Sequence, residues 1–219
     1  MPSSTPEDGP PAWPLIAVPA AITLAVTALR LLGEMLHWSP RFFSREAGGG
    51  LAVVGIAWLV PLFGIWFALK LRHAGVPRPR IGRAFAITLA ALVVTPAIGL
   101  LAVALHMGPV GQVVLFCLGS VAAIVIGRFA WPSLGRVLLA YGLAARLPVV
   151  LVMLFAMLGR WDSHYALPRP DFPPMDPLPL WLLTGFLPQL TLWIAYTIVF
   201  GTVFGLIAAA LTRNTTSAA

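Results

Sequence analysis

An arginine in the middle of an apolar run is the residue of this sequence best placed for chemistry. Arg146 is the tenth residue of a 22-residue hydrophobic stretch, 137–158. A guanidinium at the centre of a bilayer costs about 2.5–3.5 kcal/mol on insertion scales, so it is expected to face protein or a wet cavity and to find acceptors there. At about 1.5 Å per helical residue, Arg146 lies roughly 18 Å below Leu158, and Gln189 about 12 Å below Trp181. Gln189, the Thr184 carbonyl and Thr191 are therefore the nominated partners. A cation among amide and carbonyl groups can bind an anion or a carbonyl oxygen. The same residues can instead clamp two helices, or the side chain can snorkel to the interface.

A second set of groups falls near the expected outer ends of the apolar runs. Glu34 and His37 are three apart and share a helix face. Asp162 and His164 are two apart in a polar loop, and His106 follows the third apolar run. Brought together, these nitrogen and oxygen donors make a Zn²⁺ shell or a proton-handling site; spread out, they meet headgroups and water. Glu-x-x-His is half of the di-iron bundle motif, but the second copy and the two further glutamates are absent. Arg30 and Glu34, four apart, read as a solvated clasp. No Walker loop, Gly-x-Ser-x-Gly, His-Glu-x-x-His or Cys-x-x-Cys occurs, so no cofactor is indicated and the metal question is left open. The lone Cys117 excludes an intrachain disulfide.

Prolines form a third signal. Pro61, Pro96, Pro148 and Pro188 lie near the middle of apolar runs, and each withholds an N–H from the carbonyl four residues earlier: Ala57, Leu92, Ala144 and Thr184. In hydrocarbon such carbonyls need partners from neighbouring helices, water or a ligand. Interrupted helices in corresponding halves point to a midplane site in transporters, although the halves here share no residue-level similarity. Kinks made only for packing are the plainer reading.

These groups must be positioned by membrane spans. The chain has 219 residues, 59% hydrophobic and only 10% charged, with a mean hydropathy of +0.92. A soluble domain carries about a quarter charged residues. Apolar runs predict an all-α polytopic bundle of about six spans, at 13–36, 51–69, 84–105, 112–129, 137–158 and 181–211, each able to match a core of about 30 Å. The ~10-residue alternating segments of a β-barrel are absent. A tail at 1–12, rich in Pro and Ser and without a basic region, is expected to be disordered and not to form a cleavable leader. A polar extracytoplasmic loop covers 159–180, and a short tail covers 212–219.

Counting Lys and Arg places both termini in the cytoplasm, with the protein in the cell (inner) membrane. In that arrangement the inner segments hold Lys70, Arg72, Arg78, Arg80, Arg83, Arg128, Arg136 and Arg213, against Arg41, Arg45, Arg160 and Arg169 outside. The net charge of +7 is scattered among the spans, so it reads as topology and lipid contact and not as a nucleic-acid face. Thirteen Arg against one Lys, with much Ala, Leu and Gly, is the composition of a GC-rich bacterial gene. Trp13, Trp38, Trp131, Trp161 and Trp181 flank the spans and fit interfacial anchors. Small-residue stripes at Gly119/Ala123/Gly127 and Gly201/Gly205/Ala209 permit close helix approach, within the bundle or in a homo-oligomer or larger complex.

Three readings follow. The leading one is a bundle with a polar midplane pocket that binds or moves a small solute or lipid-like ligand. The others are a non-catalytic subunit of a membrane complex, and a membrane-embedded enzyme using the outer His/Asp/Glu groups.

Overall fold

The structure is a computed structural model that describes residues 10–50, 52–167, 170 and 172–212. The tails at 1–9 and 213–219, with Arg169, Asp171 and Arg213, lie outside the described residues. The described residues form helices and no strand. In chain order the helices are α1 (Ala12–Met35), α2 (Leu59–His73), α3 (Ile81–Ala104), α4 (Pro109–Gly127) and α5 (Pro132–Leu158). An interrupted helix over Pro177–Leu211 completes the bundle. It consists of α6 (Pro177–Trp181), a π-helical turn at Leu182–Phe186, α7 (Leu187–Leu190) and α8 (Leu192–Leu211). Five helices among the described residues are long and apolar enough to cross a bilayer: α1, α3, α4, α5 and the interrupted one. The chain is a multi-pass membrane protein with a helical-bundle fold.

The second span departs from the expectation over 51–69. Its helix starts at Leu59 and runs on to His73, only 15 residues, and residues 52–58 are irregular. Gly48, Gly49 and Gly50 upstream adopt φ of +75°, +83° and +56°, a region open to glycine and incompatible with a helix. Pro61 therefore sits in the first turn, where a missing N–H costs nothing, and is not a mid-span kink. The Ala57 carbonyl still draws a neighbour, accepting the Tyr196 hydroxyl at 3.3 Å. Pro96 and Pro148 lie within continuous helices. Pro188 follows the π turn, and a second break falls at Thr191, with φ −118° and ψ −71°.

Three spans end on an unusual signal. Schellman hydrogen-bond pairs close α1, α3 and α5, for example Trp38 N–H to Gly33 O at 2.9 Å with His37 N–H to Glu34 O at 3.1 Å. The left-handed residue is not glycine but His37 (φ +57°), His106 (+52°) or Arg160 (+50°).

The glycine stripes are used inside the chain. A methyl group added at Gly64 would lie 2.4 Å from the Gly201 carbonyl oxygen, and one at Gly201 would lie 2.5 Å from Leu138. Gly201, Gly205 and Ala209 thus seat α8 against α2 and α5, while Gly119 meets Ile98 of α3 and Gly127 meets Ile198 of α8. Ala123 is buried between them. Trp131, read as an interfacial anchor, is instead 2% exposed and packs in the core with Leu134 and Leu138. At the opposite end of the bundle from His164, Arg72 donates to the Ala209 and Thr212 carbonyls that close α8, where a cation complements the helix dipole.

Candidate functional site

Arg146 points inward from α5 and is 4% exposed. Its Nη1 donates to Gln189 Oε1 at 3.3 Å, and the guanidinium lies over the Trp193 ring, 4.4 Å from the centroid. Stacking on an aromatic face supports a cation through the ring quadrupole, but it satisfies none of the N–H groups. Nε has no acceptor among the described residues. The arrangement depends on the interruption of the last helix. The π turn and the break at Thr191 isolate the single turn Leu187–Leu190, which turns Gln189 towards α5, where its Nε2 also reaches Met153 Sδ at 3.7 Å.

Among the described residues the guanidinium makes no hydrogen bond to the Thr184 carbonyl or to Thr191, the other nominated partners. Both hydroxyls donate back into their own helix, to Leu180 O at 2.8 Å and Leu187 O at 2.7 Å. Each already has its acceptor one turn away, the usual bond of a threonine in a membrane helix. Thr184 nevertheless lines the cavity described next.

A cavity of about 910 Å³ opens beside Arg146. Its deep end is formed by Arg146, Gln189, Trp193, Pro188 and Pro96. Along its length stand Gly99, Val103, Phe116, Val149 and Leu183 from four different elements. At the loop end it is closed by Gly48–Gly50, Trp58, His164 and Tyr165. Irregular backbone at membrane depth is tolerated where it is buried in protein or lines a cavity, and Ala52 and residues 55–58 line this one.

The outer acids and histidines separate into two pairs. Glu34 is fully buried and meets Arg30 Nε. It accepts the His164 backbone N–H at 3.0 Å, and His164 Nδ1 lies 2.6 and 2.8 Å from its two oxygens. Arg30 also donates to Val54 O, to Ser44 O at 2.7 Å and to Gly49 O at 2.8 Å. The Arg30–Glu34 pair is therefore a buried fastener for the 44–54 segment, not a solvated clasp: the loops above it fold down and exclude water. The other pair is exposed: His37 Nε2 lies 3.1 Å from Asp162 Oδ2, which Arg45 also meets. His106 joins neither, and no three His, Cys, Asp or Glu among the described residues are grouped to hold a metal. His37 and His106 act instead as helix-ending residues.

The polar loop after α5 folds back onto the bundle. Tyr165 packs with Val149, Met153 and Met157 and stacks on His164 with centroids 3.8 Å apart. Burial, reinforced by the Glu34 charge, pushes its phenol above the ordinary range, so it stays neutral. Two features of this site escaped sequence reasoning: the irregular segment at 52–58 and the inward fold of Ser163–Tyr165. The run Gly48–Gly50 was the available signal for the first. Comparison with protein-family models, curated proteins and solved structures finds no match to this chain.

Proposed function

We propose that this protein binds a small solute or lipid-like molecule in the cavity beside Arg146, within a cell membrane and with both termini cytoplasmic. The observation that carries the reading is a guanidinium 4% exposed on the wall of a cavity of about 910 Å³, with one acceptor among the described residues, at 3.3 Å. A buried cation so poorly partnered is costly, and a pocket of roughly 300–1,000 Å³ with few polar groups is the form small-molecule sites take. Pro188, beside the π turn, and the irregular backbone at 52–58 on its walls are the interrupted backbone that membrane binding sites use.

Protein purified in mild detergent is expected to carry a tightly held small molecule, visible by native mass spectrometry. Arg146→Leu is expected to lose most of it while keeping its helical circular dichroism. Trp193 provides a second readout through its emission. Empty wild-type protein whose emission ignores added membrane extract would overturn the reading. So would a molecule held equally well by Arg146→Leu and Gln189→Leu.

A further inference from the structure

We infer that the occupant of this cavity is a singly charged carboxylate carrying a hydrocarbon tail, a statement of ligand class that rests on the binding reading above. A guanidinium has five N–H donors in a planar fork, and here a single one has an acceptor among the described residues, Gln189 Oε1. One face of the plane is covered by Trp193, which leaves the edge for a ligand. Two coplanar oxygens on one atom complete such an edge through paired, charge-assisted bonds. A neutral carbonyl supplies an acceptor but leaves the buried charge without its counterion.

The charge is counted from the cavity wall. Among the described residues on that wall, Arg146 is the cation with most of its donors left over. Arg30 is engaged by Glu34, Val54, Ser44 and Gly49, and the His164 ring is held to Glu34. Glu34, behind the loop end, is already matched by Arg30. Beside Gln189 and Trp193, Arg146 is the charged side chain among the described lining residues, so one negative charge neutralises that end of the cavity, whereas a phosphate monoester, at about −1.5 to −2, would bury an excess there. Between the two ends the wall is largely Leu100, Val103, Phe116, Val149 and Leu183, which suits methylenes; Thr184 and Gln112 also line it, their donors directed to Leu180 O and Met107 O. The Thr27 hydroxyl at the loop end is also committed, to Thr23 O at 2.9 Å.

Delipidated protein titrated with oleate, oleyl alcohol, oleyl phosphate and phosphatidylglycerol tests this, read by tryptophan emission and native mass spectrometry. Oleate is expected to bind at least tenfold more tightly than the alcohol and more tightly than either phosphate. Arg146→Lys should keep part of that preference and Arg146→Gln none. The acid-to-alcohol ratio is measured on wild-type protein, so it stands even if a variant fails to fold. Equal binding of acid and alcohol overturns the carboxylate while leaving the pocket intact. Tighter binding of a phosphate reassigns the head group and also overturns it. No binding of any of the four, by a protein that carries another molecule from the membrane, overturns the class alone; no binding and no carried molecule overturns the pocket as well.

Discussion

At the scale of single residues, two buried arginines behave in opposite ways. Arg30 is supplied with a carboxylate and three carbonyls, whereas Arg146 has one amide oxygen and an aromatic face. Their removal should separate structure from function. Replacing Glu34 by Gln leaves the Arg30 cation buried without its counter-charge, a change that costs about 3–5 kcal/mol. A lowered midpoint of thermal unfolding is expected, partly restored by a further Arg30→Met change. Arg146→Leu should leave the thermal midpoint of ligand-free protein unchanged or raised, because an apolar side chain replaces a desolvated cation. A large fall would mark Arg146 as a helix clamp. The depths of the two arginines can be read from the spans, but their roles are set by the number of oxygens each meets.

At the scale of elements, helix ends and helix contacts explain residues that otherwise look chemical. His37 and His106 fill left-handed closing positions, where a side chain costs roughly 1–2 kcal/mol relative to the right-handed form and histidine is among the more tolerated types. His106→Gly is expected to raise the thermal midpoint, by up to about 1 kcal/mol of stability once the greater freedom of unfolded glycine is counted, and to leave ligand binding untouched. His106→Val should lower it. The contact of α2 with α8 has no such tolerance. Gly64→Val places carbon against the Gly201 backbone, where no rotamer can yield, so a loss of about 1–3 kcal/mol or more is expected, seen as earlier unfolding and aggregation in detergent.

For the whole molecule, the span order and loop charges set an orientation that labelling can check. In a Cys117→Ser background, Asp162→Cys should react with an impermeant maleimide added outside intact cells, and His73→Cys only after permeabilisation; the opposite pattern inverts the topology. Long apolar runs made the helical bundle readable from the sequence, because a bilayer forces every backbone group into local hydrogen bonds and so ties fold class to local hydropathy. The pairing of Arg146 with Gln189 was also within reach, since depth along a straight helix is only a count of residues. Tertiary structure alone decided the rest. It brought His164 down to Glu34, unwound residues 52–58 and left a cavity between α3, α4, α5 and the broken last helix. Those outcomes depend on which helices become neighbours and which donors and acceptors then compete. Hydropathy says how deep a residue lies, but not what stands across from it.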